Sequence, residues 1–532
     1  MLPWPGVRLT IRLRPYHPVA WAWVLALFLT LAATGITSGL PNEVSWSNDD
    51  ISPHGPLKAP SQYLSGTSKY PYLQPLIDRA LYQPYLVRAR IEGSLEAGCA
   101  PIRDDCFQDP RAALGHLMLI SRLRSLVMAA GAVVATGLLA GMLFGPQAAV
   151  AAGLLAAVNE TLGFFGKVGN VDAPYTMWFM LSMLAYVRVL QRGSRRAWTA
   201  FGLLSGLTLA TKEGIGGAYV LTGLLMLLAE GNRVRRAADG RVALREALLR
   251  LGLMTLGLFG VYGLVQNALF NWHGFMEHLQ HWEGVVNADN TNHAYTGPLW
   301  VLGQLRMRAV EGAGWPLLLF LIAGAVFPLL GSGSEAAQHR RSALWLITPV
   351  LSFVLFTILP IHFVYSRFLL PSYLLLAAAA APLALRLWQA GWPDKGGRAW
   401  GRLVVGAVLV YSALYSLNVG LAMRVDTRLA AETWLRERLP PDAGVAAFGD
   451  ETYFPRIDIL VEDWDTEFVR WKDMPPYHSA PPTGDETPSE WAAALAHTVL
   501  SRTSETSCAA GPDARFGRRV GVSLEAWIPN SA

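Results

Sequence analysis

Long apolar runs are the feature that most limits what this chain can become. They recur in blocks of roughly 18–24 residues, the length an α-helix needs to cross about 30 Å of hydrocarbon. Away from water, such a run has to satisfy its own backbone polar groups, and a helix does this within the segment. Composition agrees, with 52% hydrophobic and only 16% charged residues, against about 25% charged in an average soluble domain. The class is therefore an all-α polytopic membrane protein.

The runs lie at about 19–40, 122–144, 147–165, 173–191, 198–211, 215–229, 247–270, 313–331, 343–360, 367–389 and 402–422. That makes about eleven expected spans. The first follows Arg8, Arg12 and Arg14 and is longer than the 7–15 apolar residues of a secretory signal, so it reads as an uncleaved span. The net charge of +5 does not point to nucleic acid, because the arginines cluster in short turns between apolar runs. Those turns include 192–196, 231–245, 338–341 and the one holding Lys395, Arg398 and Arg402. Basic turns mark the cytoplasmic side. The N-terminus is then cytoplasmic, and an odd number of spans puts both loop 41–120 and the tail 426–532 outside.

Loop 41–120 is long, and its tyrosines argue for ordered interfacial helices such as 72–87. Cys99 and Cys106 bracket the short stretch CAPIRDDC and can pair if it faces an oxidising compartment, a pairing the sequence leaves open. In the tail, 426–475 reads as a small α/β appendage, and 475–515 is rich in Pro, Ser, Thr, Gly and Ala, a composition of partial disorder.

With this topology the outer ends of the spans carry a set of polar residues. Asp49 and Asp50 follow the first run in SWSNDDISP, where a carboxylate in or near water can act as a general base. Lys69 in SKYPYLQPLI either meets a phosphate near the headgroup plane or snorkels at the interface. Asp172 in GNVDAPY suits a helix start and can also orient a polar ligand. Lys212 and Glu213 in LTLATKEGIGG interrupt two short apolar runs, as an internal ion pair or as the lining of a cavity. His362 and Arg367 open the tenth run, where Arg is suited to bidentate phosphate recognition or to anchoring a helix end.

NDD after the first span, the KYP segment, the GNVDAPY turn, GLLSGLTLATKEG and RFLLPSYLLL stand in an order that resembles the GT-C superfamily of membrane glycosyltransferases. Within it, the likeness is to the dolichyl-phosphate-mannose protein mannosyltransferase-like branch and the bacterial aminoarabinose transferases. It extends from the first span to about residue 425. The family writes the acid pair Asp-Glu, so Asp50 is a conservative departure at its second place. The resemblance implies Asp49 as catalytic base, with Asp50 beside it. Lys69 is similar to a lysine that contacts the carrier-lipid phosphate, and Asp172 to an acid that shapes the active site. It also implies a polyprenyl-phosphate-linked sugar donor, a lipid, glycan or protein acceptor, and inversion at the anomeric carbon. No metal is expected to be required, although some GT-C enzymes use a divalent cation. The competing readings are a transporter or lipid-linked-sugar flippase, and a non-catalytic GT-C-like envelope-assembly partner. The gathering of charge at one surface, without an internal repeat, disfavours transport.

Overall fold

The computed structural model describes residues 18–41, 50–65, 71–280, 297–361, 363–389 and 397–438, with two short strands at Ala447–Phe448 and Phe468–Val469. The chain divides into two units, one reaching Arg424 and a second that includes the tail from Val425.

Among the described residues, the elements of the first unit are helices. Helix α1 (Pro18–Ala33) is followed in the loop 41–120 by α2 (His54–Ser65) and α3 (Leu73–Ile91). Then come α4 (Pro110–Phe144), α5 (Pro146–Ala157), α6 (Glu160–Phe165), α7 (Asp172–Arg192), α8 (Arg195–Leu209), α9 (Ala218–Arg236) and α10 (Gly240–Val265). The unit closes with α11 (Pro298–Ala313), α12 (Trp315–Leu330), α13 (Ser334–Phe353), α14 (Leu370–Gln389) and α15 (Gly397–Ala422).

A helix lies over every expected span, but by length and composition six described helices can cross a membrane, or seven if the bent pair α11–α12 counts as one. Four expected boundaries shift for visible reasons. The first run ends as helix at Ala33, because Gly35 takes a positive φ of 86° and starts a string of turns. At 16 residues α1 is only ~24 Å long. The expected span 147–165 is two pieces, since the Asn159 side chain caps a new helix by accepting from Leu162 N at 2.9 Å. Pro298–Ala313 and Trp315–Leu330 meet at 109°, so the eighth span begins in a sharp bend. Helix α4 starts twelve residues before its apolar run, at Pro110, where Asp109 accepts from Ala112 N. Its 35 residues reach ~52 Å, well beyond the hydrocarbon.

That extra length joins the loop 41–120 to the bundle. The loop has a core of its own, in which Tyr82, Leu86, Leu95, Phe107, Leu114 and Leu117 are buried together. The Tyr82 hydroxyl meets Ser121 Oγ of α4 at 2.6 Å. A disulfide joins Cys99 to Cys106, with Cα atoms 6.0 Å apart.

Deeper in the bundle, α8 and α10 touch backbone to backbone. A Cβ at Gly202 would fall on the Met254 carbonyl, and one at Gly206 would lie 2.8 Å from the Leu258 carbonyl. Small residues four apart permit this approach. Gly202→Val is expected to force the pair apart and lower the thermal unfolding midpoint in detergent, as overpacking of about 1–3 kcal/mol would. An unchanged midpoint would contradict this packing.

In the second unit, the described elements are α16 (Thr427–Arg438) and the two strands, which pair in parallel with Ala447 opposite Phe468. The expected segment 475–515 lies outside the described residues.

Candidate active site

Helix α4 carries the sequence Ser121-Arg122-Leu123-Arg124-Ser125 where it leaves the bundle. Residues two apart on a helix differ by about 200° in direction, so the two arginines serve different partners. Both are buried, and a buried guanidinium demands acceptors for its five N–H groups.

Arg122 meets that demand completely. Its Nε and Nη2 donate to Asp50 Oδ2 at 3.2 and 2.7 Å, and its Nη1 donates to the carbonyls of Ile36 and Ser38 at 2.7 and 2.8 Å. The remaining Nη2 proton faces Met118 Sδ at 3.7 Å. Ile36 and Ser38 precede residues 42–49, and Asp50 follows them. One side chain therefore pins both flanks of the segment that contains Asp49, which itself lies outside the described residues.

Asp50 is expected from sequence as the second member of a catalytic pair. Its carboxylate is instead enclosed: Oδ2 accepts from Arg122, and Oδ1 accepts from the backbone N–H of Gly169 at 2.5 Å. Ile51 N then donates to Gly169 O at 2.8 Å. A carboxylate held this way is not open to an incoming substrate, so Asp50 has the geometry of a positioning residue.

Arg124 turns to the loop 41–120. It forms a two-pronged pair with Asp78 of α3 at 3.0 and 2.8 Å, and its Nη1 donates to Asn170 O at 2.7 Å. Burial pushes the Asp78 carboxyl up from its ordinary range, against the pull of Arg124. Both arginines thus converge on the turn 166–171.

From that turn the polar chain continues inward. The Asn170 amide donates to Asp172 Oδ2 at 3.0 Å, and Lys212 Nζ reaches Asp172 Oδ1 at 2.5 Å. Lys212 also lies 5.0 and 4.9 Å from the ring centres of Tyr175 and Phe368, within cation–π range. The Tyr175 hydroxyl donates to Arg367 O at 3.2 Å, and the Arg367 guanidinium lies 4.4 Å from the Tyr365 ring. Asp50, Asp172, Lys212 and Arg367 therefore belong to one connected region.

Glu213, although next to Lys212, faces elsewhere. It accepts from the Tyr262 hydroxyl and from Gln266 Nε2 (3.2 Å), and it pairs with His278 Nε2 at 2.9 Å. This second cluster borders the segment holding Lys69. Gln266 Oε1 accepts from Tyr72 N at 3.3 Å, and Asn267 Nδ2 donates to Tyr63 O at 2.5 Å. The Tyr63 hydroxyl donates to Leu264 O at 2.7 Å. Both flanks of 66–70 are thus fastened to the end of α10. Lys69 and His362 lie outside the described residues. Among the described residues, no three His, Cys, Asp or Glu side chains gather as a metal site.

Arg122, Arg124, Asp78, Tyr262 and His278 were not singled out by sequence. For the arginines a signal existed: two cations at the head of an apolar run require buried acids nearby. His278 carried none, since a histidine in a polar stretch is ordinary.

Comparison with known proteins bears on the same region. Residues 112–261, from α4 to α10, match the family model described as dolichyl-phosphate-mannose-protein mannosyltransferase. The undecaprenyl phosphate-alpha-4-amino-4-deoxy-L-arabinose arabinosyl transferase of Pseudomonas aeruginosa PAO1 is 28% identical over 340 residues, covering 62% of this chain and 54% of the relative. The protein of that name from Pseudomonas paraeruginosa PA7 is 28% identical over 346 residues with the same coverage. The chain resembles GT-C glycosyltransferases of the aminoarabinose-transferase kind. It spans about half the length of the curated relatives it matches.

Among solved structures, ArnT from Cupriavidus metallidurans bound to undecaprenyl phosphate aligns with 12% identity, 85% of each chain and a TM-score of 0.49. The Archaeoglobus fulgidus oligosaccharyltransferase tethered to an acceptor peptide aligns with 12% identity, 80% of this chain, 58% of its own and a TM-score of 0.46. The resemblance rests on the sequence matches rather than on these superpositions.

Proposed function

We propose that this chain is an integral-membrane glycosyltransferase. It moves a sugar from a polyprenyl-phosphate carrier to an extracytoplasmic acceptor, with inversion at the anomeric carbon. The observation that carries the reading is the Arg122 clamp, which fixes both flanks of the Asp49 segment against the turn leading to Asp172 and Lys212.

Each group has a task in this reaction. Asp49 takes the proton from the acceptor as its heteroatom attacks C1 of the sugar. The C1–O bond to the carrier phosphate breaks on the opposite face, and the departing lipid phosphate keeps the electron pair. Cations near that phosphate offset its growing charge, a role for Lys69, Arg367 and, across the Asp172 pair, Lys212. Asp50 holds Asp49 in place. His362 lies near Arg367 in sequence and is assigned to the same donor end, and Glu213 with His278 borders the Lys69 segment.

The wider architecture belongs to the same proposal. It comprises about eleven crossings, the 1–425 membrane domain with loop 41–120, and a small α/β tail domain at 426–532. The protein would sit in a bacterial inner membrane, with its N-terminus in the cytoplasm and its active site and tail outside. Two features at opposite ends support that orientation. Arg233, at the C-terminal end of α9, donates to the carbonyls of Val189 and Leu190 that close α7, amid the basic turns. The Cys99–Cys106 disulfide belongs to the outer loop, as an oxidising compartment allows. The donor is a hexosyl or a pentosyl carrier, and the acceptor is a lipid, a glycan or a protein.

The test is sugar transfer by the purified, reconstituted protein from a mixed pool of polyprenyl-phosphate hexoses and pentoses, with lipid, glycan and peptide acceptors. Transfer supports the proposal. Translocation of the donor across vesicles without transfer would replace it with the flippase reading.

A smaller prediction concerns the turn. A Cβ at Gly169 would lie 2.9 Å from Asp50 Oδ1 and 3.1 Å from Ser121 Cβ. Gly169→Ala is expected to displace the Asp50 carboxylate and cut turnover about tenfold or more, as misplacement of a reacting group does. Wild-type turnover in Gly169→Ala would show that this contact does not position the base.

A further inference from the structure

The outer loop ends in a feature that the reaction above does not use. Asp104 and Cys106 lie in a single 3-10 turn, inside the ring closed by the Cys99–Cys106 disulfide. That ring is held on several sides. Arg103 N donates to Cys106 Sγ at 3.1 Å, Cys106 N donates to Arg103 O at 3.2 Å, and Glu96 N donates to Cys106 O at 2.9 Å. Leu95 and Phe107 form an antiparallel bridge beneath it.

From this fixed ring the Asp104 carboxylate reaches across to α2, where its Oδ1 lies 2.6 Å from His54 Nε2. That oxygen is closed off from solvent, and the contact is an ion pair rather than an aligned hydrogen bond. On the other side of the same imidazole, Nδ1 lies 2.5 Å from Ser52 Oγ. The imidazole thus stands between the Asp104 carboxylate, at ion-pair distance, and the Ser52 hydroxyl. Ser52 is two residues from Asp50. A continuous path therefore runs from the disulfide through a carboxylate, an imidazole and a hydroxyl to the acid pair.

We propose that His54 and Asp104 are positioning residues for the acid pair, and that the Cys99–Cys106 disulfide holds them in register. Arg122 fastens the segment from the bundle side, and the Asp104–His54–Ser52 strut fastens it from the outer side. Reducing the disulfide releases the ring, and Asp104 then loses the fixed geometry that seats His54. The inference rests on the glycosyltransferase reading for its catalytic consequence, but not for its structural one.

The experiment uses the full-length protein in proteoliposomes, with and without a phosphine reductant. Wild type is compared with Cys99→Ser/Cys106→Ser, Asp104→Asn, Asp104→Glu and His54→Gln. Turnover is measured with a polyprenyl-phosphate sugar, and amide hydrogen exchange is followed over residues 50–58. Reduction, the cysteine pair variant, Asp104→Asn and His54→Gln are each expected to lower kcat about tenfold while leaving the donor KM within about twofold. Exchange over 50–58 should quicken in parallel. Asp104→Glu should recover part of the loss, and Asp104→Asn should no longer respond to reduction. Undiminished kcat and unchanged exchange in reduced wild type would overturn the strut, as would a full response to reduction in Asp104→Asn. If wild type transfers no sugar at all, the functional reading fails. The exchange measurement still decides the strut in that case.

Discussion

Asp49→Asn is expected to cut sugar transfer by about 10²–10⁴-fold, the range that a positioned general base contributes. Donor binding should survive, because the groups assigned to the phosphate are other, cationic residues. The prediction separates Asp49 from its neighbour. Asp50 is buried and takes two donors from Arg122 and one from the Gly169 N–H, so its carboxylate is closed to an incoming acceptor. Asp50→Asn should therefore hurt stability as well as turnover, whereas Asp49→Asn should leave the unfolding midpoint nearly unchanged. Turnover measured alongside thermal unfolding for both variants checks this. If Asp49→Asn keeps wild-type turnover, the base lies elsewhere, and Asp172 would be the next residue to test.

The second large effect is at Arg122. Arg122→Met leaves the Asp50 carboxylate buried without its cation, and breaking a buried pair on one side costs about 3–5 kcal/mol. The carbonyls of Ile36 and Ser38 lose their donors in the same step. The protein is expected to unfold at markedly lower temperature in detergent and to lose transfer. Arg122→Met combined with Asp50→Leu removes both charges, and apolar replacements of such pairs are often neutral or better. The double variant should regain much of the lost stability but not the activity, because the segment around Asp49 would no longer be tied to the Gly169 turn. Recovery of both would mean that the pair is structural only. Recovery of neither would mean that the backbone carbonyls, rather than Asp50, are what Arg122 chiefly serves.

The same pair shows why the sequence could be read so far and no further. Period and length of the apolar runs depend only on local composition, so the all-α membrane class and a helix over each run were legible. Motif order was legible too, and Asp172, Lys212 and Arg367 do come together. Glu213 was legible as a polar residue, but its direction was not. Lys212 and Glu213 are neighbours in the chain, yet one turns to Asp172 and the other to His278. Such directions depend on where the next element packs.

Helix ends followed the same division. The Asp109–Pro110 start of α4 and the Asn159 break are capping events, whose residues were visible but whose use depended on neighbouring helices. Asp50 is the clearest case. As a sequence it is half of an acid pair in a polar loop. Only when α4 passes beside the loop does a buried guanidinium claim its carboxylate, 72 residues away along the chain. The sequence by itself determined that this protein is built of apolar helices with a set of charged residues at their ends. The tertiary structure decided which of those charges neutralise one another, because a buried charge is tolerated only beside a partner, and its partner is chosen by packing.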